Sequence, residues 1–266
     1  MWLRVSCNLV FDIEIPTPFI LMLRPRSGSQ QWISSETYNI NPNIEANEYT
    51  DAFGNLCQRV LAPSGLFSIY TDSIVKVKDY TEIAPNTPLV SIENIPDNIL
   101  SYLIPSRYCE SDRLGDLANS ITANQLQGYN QVEAIETWLR NHIAYLPGSS
   151  DYPISAVEVN QKRQGVCRDL AHLGIALCRS LSIPARMVVG YLHELYPMDM
   201  HAWFEAYVGN RWYRFDATQT IKKGGYVTIA YGRDAADVPV FNQFGPTAVP
   251  IQHTVNVERI NMTNFI

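Results

Sequence analysis

No stretch of this sequence approaches the roughly 20 consecutive apolar residues that a membrane-spanning helix requires. Asp12 and Glu14 interrupt the first apolar stretches, and Pro16 and Pro18 follow them. These stretches therefore do not have the form of a secretory signal peptide. We expect a protein without a membrane partner, located in the cytoplasm.

Positive charge is also scarce. The 266 residues include 20 lysines and arginines against 26 aspartates and glutamates, which gives a formal net charge of -6. No basic stretch offsets this balance, and a nucleic-acid partner would require one because phosphate contacts dominate such binding. The hydrophobic share of 46% and the charged share of 17% exclude a disordered chain and predict a folded one.

The cysteines lack the pattern of a disulfide or zinc framework. There are five of them, widely spaced, and no two form a CxxC pair. His193-Glu194 resembles half of a zinc-protease motif, but Pro197 stands where the second histidine is required. We expect no metal and no other cofactor. Four of the thiols are interpreted as core or surface residues: Cys7, Cys57, Cys109 and Cys178.

Short apolar or alternating runs, separated by turn-forming residues, are typical of residues 1–85. They lie at Val5–Phe11, Phe19–Leu23, Leu56–Leu61, Phe67–Tyr70 and Ile74–Val77. This pattern predicts an N-terminal β-rich domain with a sandwich-like fold. Residues 86–114 are rich in proline, and we expect them to form an extended connector that packs across both parts of the chain.

Helical patterns precede strand patterns in residues 115–266. Helices are predicted at 114–123, 131–142, 155–163 and 167–181, the third from the capping box of Ser155 and Glu158. Strands are predicted at 187–191, 202–208, 212–216 and, as a returning final strand, 254–259. Helices followed by strands favour an α+β fold over an alternating α/β fold.

Cys167 stands at the first position of the strongest predicted helix, directly after Gly165-Val166. A thiol is a good nucleophile only as a thiolate. The unpaired backbone N–H groups at the start of a helix favour negative charge and can also stabilise a tetrahedral oxyanion. This position therefore suits a nucleophilic cysteine.

Two further residues supply the groups that a catalytic thiol needs. His201 immediately precedes one predicted strand, and Asp216 ends the next, with a Gly209-Asn210 turn between the two strands. Such a turn predicts a hairpin, which places the imidazole and the carboxylate at the same end of neighbouring strands. A base oriented by an acid is the arrangement that activates a nucleophile.

Four blocks of the chain together resemble the core of the transglutaminase-like superfamily. They are residues 165–173 (GVCRDLAHL), 183–191, 201–206 (HAWFEA) and 212–218, in the order of the family. The N-terminal half is similar to the β-rich domain that precedes this core in a bacterial subgroup called cysteine proteases. The resemblance implies a papain-like core at 115–266, with Cys167 as nucleophile, His201 as base and Asp216 as its orienting acid.

The resemblance implies attack on a peptide, protein or other amide carbonyl, with a thioester intermediate. Hydrolysis of the thioester would make the protein a peptidase or amidase, whereas transfer to an amine would make it a protein–glutamine transamidase. A catalytically silent binding module is the third hypothesis, which the intact triad disfavours.

Other side chains close to these motifs have mainly structural interpretations. His172, five residues after Cys167, should point away from the thiol and make a structural hydrogen bond. Asp169 is expected to cap the helix and to pair with Arg168. Tyr108, in the connector, is a candidate for the second oxyanion donor, and packing of the connector is the alternative. Three residues are assigned to packing or left open: Trp203, Phe204 and Asp234.

Overall fold

A computed structural model of the protein describes residues 1–150 and 152–261. Strands β1 to β6 span Trp2–Ile13, Thr17–Leu21, Gln31–Asn41, Asn47–Thr50, Leu56–Ala62 and Gly65–Val77. There follow α1 (Gly115–Thr122), α2 (Tyr129–His142), β7 (Ala144–Tyr145), α3 (Ala156–Lys162), β8 (Gln164–Gly165) and α4 (Cys167–Ser180). Strands β9 to β14 span Ala185–Leu192, His201–Val208, Arg211–Phe215, Tyr226–Gly232, Phe241–Gln243 and Gln252–Ile260. Within the described residues, every helix is too short or too polar to span a bilayer.

Two four-stranded antiparallel sheets, ordered β14-β1-β6-β3 and β13-β2-β5-β4, form the N-terminal domain. Alternate residues of β1 are buried, because successive side chains of a strand point to opposite faces. Phe11 of β1 and Phe67 of β6 lie 5.3 and 5.6 Å from Phe19 of β2, measured between ring centroids. This aromatic cluster joins the two sheets and confirms the predicted sandwich-like fold.

The last two strands return to the N-terminal domain. β13 pairs with β2, and β14 pairs with β1 over nine residues, from Trp2 opposite Ile260 to Val10 opposite Gln252. The predicted final strand is therefore present, but it extends an N-terminal sheet instead of packing within the C-terminal core. β1 therefore pairs with β14 on one side and with β6 on the other, so neither edge of this strand lacks a hydrogen-bonded partner.

The C-terminal core is a helix-on-sheet unit, as the order of helices and strands predicted. Its antiparallel sheet is ordered β11-β10-β9-β12, and α4 packs on one face of it. Gly174 of α4 lies against Phe204 of β10, where a Cβ atom would stand 2.6 Å from the ring. Gly209 and Asn210 both have positive φ, 54° and 63°, as a type I′ hairpin turn requires. The predicted hairpin of β10 and β11 is confirmed.

Side-chain amides of the N-terminal domain cover the open edge of the C-terminal sheet, at β12. Gln31 donates to the carbonyl of Thr228 and accepts from its N–H, both at 2.7 Å. Asn55 makes the same pair of bonds to Tyr231, at 2.7 and 2.8 Å. Each amide thus replaces a missing strand at edge strand β12, which ties the two domains together.

The connector packs against both domains. It contains three short 3₁₀ turns, and Tyr102 of the second turn is buried. The ring of Tyr102 lies 6.1 Å from that of Phe53 in the N-terminal domain and 5.4 Å from that of Trp212 in β11. The connector therefore contacts both parts of the chain, with 3₁₀ turns in a segment that was expected to be extended.

Candidate active site

The nucleophile candidate stands at the first residue of α4. The preceding residue, Val166, is extended and caps the helix, and its N–H donates to the carboxylate of Asp169 at 3.1 Å. Asp169 is fully buried, and Ser150 donates a hydroxyl hydrogen bond to it at 2.6 Å. The predicted capping role of Asp169 and its ion pair with Arg168 are both present. Cys167 itself is half-buried, with the positive end of the helix dipole at its backbone.

His201 and Asp216 are joined directly. Nε2 of His201 lies 2.7 Å from Oδ2 of Asp216, and both side chains are buried. Phe204 of β10 faces Phe215 of β11 in the hairpin register, so Asp216 leaves β11 at the end where β10 begins with His201. The hairpin therefore produces the contact that its sequence pattern predicted.

Three neighbouring donors hold Asp216 in addition to His201. The hydroxyl of Tyr226 donates to Oδ2 at 2.8 Å, and the N–H and hydroxyl of Thr218 donate to Oδ1 at 3.0 and 2.7 Å. Burial alone would raise the pKa of Asp216, but the charge of His201 and these hydrogen bonds lower it. Asp216 is therefore an anion that accepts the Nε2 proton of His201.

The same pair sets the charge of the imidazole. Burial alone would lower the pKa of His201, but the carboxylate of Asp216 and the thiol of Cys167 outweigh burial and raise this pKa to about 10. Nδ1 of His201 has no hydrogen-bond partner among residues 1–150 and 152–261, although it is buried. Since Nε2 is bound to Asp216, Nδ1 is the nitrogen left for the thiol.

Cys167 and Asp216 line one narrow cleft between α4 and the hairpin. Leu170 of α4, Phe204 of β10 and Thr218 after β11 are among the other residues that line it. The structure thus brings Cys167, His201 and Asp216 to one site. In the described part of the chain, no group of three or more His, Cys, Asp or Glu side chains is arranged to hold a metal ion.

Comparisons with known proteins bear on both domains. Residues 115–217 match the family described as the Transglutaminase-like superfamily, and residues 16–76 match the Bacterial transglutaminase-like N-terminal region. The structure is also similar to a crystal structure from Cytophaga hutchinsonii named "Putative Cysteine Protease". The TM-score is 0.90 and the sequence identity 36%, over 98% of this chain and 91% of the other. This chain belongs to the transglutaminase-like superfamily.

Two mycobacterial relatives resemble this transglutaminase-like chain over most of their length. Uncharacterized protein ML0607 of Mycobacterium leprae is 26% identical over 230 residues, which cover 81% of this chain and 82% of the relative. Uncharacterized protein Mb2599c of Mycobacterium bovis is 32% identical over 246 residues, which cover 82% and 78%. The family predicted from the sequence motifs is confirmed, together with its papain-like α+β core.

Tyr108 uses its backbone amide and its ring in structural contacts beside this transglutaminase-like site. Its backbone N–H donates to Oδ2 of Asp234 at 2.8 Å, and its ring stacks on His172 at 5.1 Å. The backbone N–H is therefore already bound, and packing of the connector describes these contacts. A donor role for the hydroxyl of Tyr108 stays a prediction. Asp234 is likewise structural, since its other oxygen accepts the N–H of Ala236.

His172 has the predicted structural role. Its Nδ1 bonds to the carbonyl of Ile154 at 2.9 Å, and its Nε2 accepts the N–H of Ala235 at 3.2 Å. A ring that donates from one nitrogen and accepts at the other is neutral. Burial agrees with this state, because it lowers the pKa of His172 to about 4.

The remaining thiols and the aromatic residues of β10 are core residues. Burial raises the pKa of Cys7 to about 12 and raises those of the other three buried thiols as well. Trp203 and Phe204 are each 1% exposed, so strand packing describes both. Cys167 is the one partly exposed cysteine among the described residues.

Sequence reasoning missed three residues that support the site. Thr218 stood within a quoted motif, and a hydroxyl two residues after an aspartate is a common local hydrogen-bond donor. Glu136 lies among the inward positions of α2, where a buried carboxylate is unusual and needs a partner. Tyr226 carried no signal, because a tyrosine in an apolar strand is ordinarily a packing residue.

Proposed function

We propose that this protein is a cysteine-dependent peptidase or amidase that cleaves amide bonds through a thioester on Cys167. The observation that carries the proposal is the buried His201–Asp216 pair, which leaves Nδ1 of His201 free for a thiol at a helix start. The similarity to a structure named as a cysteine protease supports the same reaction class.

In the first half of the reaction, the thiolate of Cys167 attacks the amide carbonyl carbon. A C–S bond forms, and the carbonyl oxygen becomes an oxyanion that the N–H groups at the start of α4 stabilise. The intermediate then collapses, the C–N bond breaks, and the imidazolium of His201 gives its Nδ1 proton to the leaving amine. Asp216 keeps the ring oriented and stabilises its positive charge throughout.

In the second half, a water molecule attacks the thioester. Nδ1 of His201 takes one proton from the water, the C–S bond breaks, and a carboxylic acid leaves while the thiolate is restored. An amine in place of water would give transamidation by the same steps. The substrate class is therefore a peptide, protein or other amide. The location of the protein in the cytoplasm stays a prediction.

One assay separates the hypotheses. The protein is incubated with a panel of glutamine-containing peptides and a labelled amine, and ammonia, new N-termini and incorporated label are measured together. We expect ammonia or new N-termini without incorporation, and loss of both in Cys167→Ala. Cys178→Ala is the matched control, because it removes a buried thiol from the same helix.

Incorporation of the amine would instead identify a transamidase. Absence of all three products in the wild-type protein, together with an iodoacetamide profile of an ordinary thiol at Cys167, would favour the silent binding module.

A further inference from the structure

A small polar cavity lies behind the His201–Asp216 pair, outside the cleft that holds Cys167. Its volume is about 10 Å³, enough for one water molecule. It opens to the surface beside the exposed Ile221, and most of the side chains that line it are polar or charged. The charged and hydrogen-bonding side chains that line it include Glu136, Arg214, Asp216, Lys222 and Tyr226.

Glu136 of α2 connects this cavity to the site. Its side chain is 3% exposed, and Oε1 accepts the backbone N–H of Asp216 at 2.9 Å. Asp216 follows Phe215, the last residue of β11 that pairs with β10, so the strand ladder supplies no acceptor for this N–H. Glu136 supplies one and thereby fixes the backbone from which the carboxylate of Asp216 reaches His201.

The surroundings of Glu136 keep a buried carboxylate in place. Burial, and to a smaller extent the charge of Asp216, raise the pKa of Glu136. Lys222, the N–H of Asp216 and Arg140 lower it, but the net effect is a raised pKa. The guanidinium of Arg140 lies 3.4 Å from Oε1, and Nζ of Lys222 lies 3.6 Å from Oε2. An apolar residue would fill this position without the desolvation cost of a charge. The carboxylate therefore indicates a role beyond packing.

Two buried polar atoms at the cavity have no hydrogen-bond partner among the described residues: Oε2 of Glu136 and Nε of Arg214. Buried polar groups are ordinarily satisfied, by protein or by water. The guanidinium of Arg214 also stacks on the ring of Tyr226, 3.8 Å from its centroid, and Tyr226 donates to Asp216.

We propose that Glu136 is a positioning residue for the Cys167–His201–Asp216 site, and that it acts through the hydrogen bond that its carboxylate accepts from the backbone N–H of Asp216. This inference rests on the proposed function, because it assigns Glu136 a role only if His201 activates Cys167. Glu136 does not touch the thiol or a substrate, and its effect passes through Asp216.

The test compares Glu136→Leu and Glu136→Gln with the wild-type protein. Glu136→Leu removes the acceptor of the Asp216 N–H, whereas Glu136→Gln retains an acceptor and removes only the charge. Glu133→Gln is the matched control: Glu133 lies on the same helix and pairs with the same Lys222, at 2.7 Å, but its hydrogen bonds and ion pairs among the described residues do not include Asp216. The readout is the rate of iodoacetamide labelling at Cys167 from acid to alkaline pH, followed by peptide mass spectrometry, with the melting temperature measured in parallel.

We expect Glu136→Leu to slow the labelling of Cys167 at neutral pH by about tenfold, as the loss of one buried hydrogen bond implies. In the plot of labelling rate against pH, the change on the alkaline side should move to lower pH. The reason is that a displaced Asp216 would stabilise the imidazolium of His201 less, so that the imidazolium would lose its proton at a lower pH. Glu136→Gln should restore the rate to within about threefold of wild type, and Glu133→Gln should match wild type.

Two results would overturn the inference, and they differ. If the wild-type thiol is activated but Glu136→Leu changes only the melting temperature, Glu136 is merely structural and the proposed function stands. If the wild-type profile is that of an ordinary thiol, the proposed function fails and the positioning role fails with it.

Discussion

Replacing Asp216 with asparagine should abolish the activation of Cys167 while leaving the side-chain volume unchanged. In the wild-type protein, burial disfavours the charged imidazole, yet Asp216 and Cys167 hold the pKa of His201 at about 10. Relative to the ordinary value of 6.5, this pKa corresponds to roughly 5 kcal/mol in favour of the protonated ring. Once the carboxylate is gone, the burial effect remains, and the pKa of His201 should fall below 6.5.

The assay for Asp216→Asn is iodoacetamide labelling of Cys167 across pH. The wild-type thiol should react at neutral pH as a thiolate paired with the imidazolium. In the variant, reactivity at about pH 7 should fall by at least about tenfold and should rise only where an ordinary thiol ionises. Asp237→Asn is the matched control, because Asp237 pairs with Arg233 outside the site. A profile of Asp216→Asn that coincides with wild type would refute the reasoning.

The same pKa makes a prediction about stability. Because folding raises the pKa of His201, the folded protein retains a proton that the unfolded chain releases above about pH 6.5. The stabilisation is therefore complete below that pH and is lost as the pH rises toward about 10. In wild type this proton is offset by the one that Cys167 releases as a thiolate, so the comparison is made without the thiol. Between about pH 7 and 8, the free energy of unfolding of Cys167→Ala should fall relative to the Cys167→Ala/Asp216→Asn double variant by about 1.4 kcal/mol per pH unit. Parallel urea titrations with the same slope in both proteins would contradict this linkage.

Three further substitutions test how the fold holds the site. Arg179→Met removes a buried guanidinium that donates to backbone carbonyls from three segments and should lower stability by about 3–5 kcal/mol in urea denaturation. Asn55→Ala frees the N–H and carbonyl of Tyr231 at the edge of β12, and hydrogen exchange should accelerate there, with a loss of about 1–3 kcal/mol. Gly174→Val places side-chain atoms against Phe204 and should shift α4. Stability should fall by about 1–3 kcal/mol, and labelling of the Cys167 thiol should slow. An unchanged melting temperature and labelling rate would show that α4 is not closely packed on β10.

The elements predicted correctly from the sequence are those whose burial is periodic. The apolar stripe of α2, the capping box of α3 and the alternation of β1 each correspond to an observed element. Strands β3 and β4 were missed because they are largely exposed and carry polar residues on both faces. The pairing of β14 with β1 was also missed, because the periodicity of a strand does not specify its partner.

In the site, too, the residues that were predicted are those with a local sequence signal. A helix start at Cys167 and a Gly-Asn turn are local signals, and the turn alone places His201 beside Asp216. The groups that support Asp216 come from elsewhere: Glu136 is 80 residues away and Tyr226 lies on another strand. The amide of Tyr108 is likewise bound by a residue 126 positions away, a contact that its local sequence does not indicate. Long-range hydrogen bonds have no counterpart in a local sequence pattern.

The most direct test of the central claim is detection of the acyl-enzyme. The protein is mixed with an activated amide or peptide ester substrate, quenched in acid and digested, and the peptide that contains Cys167 is analysed by mass spectrometry. We predict a mass increase equal to the acyl group on Cys167 in the wild-type protein, and none in Cys167→Ala or His201→Ala. Turnover of the same substrate by Cys167→Ala at the wild-type rate, with no adduct on the wild-type thiol, would contradict the account.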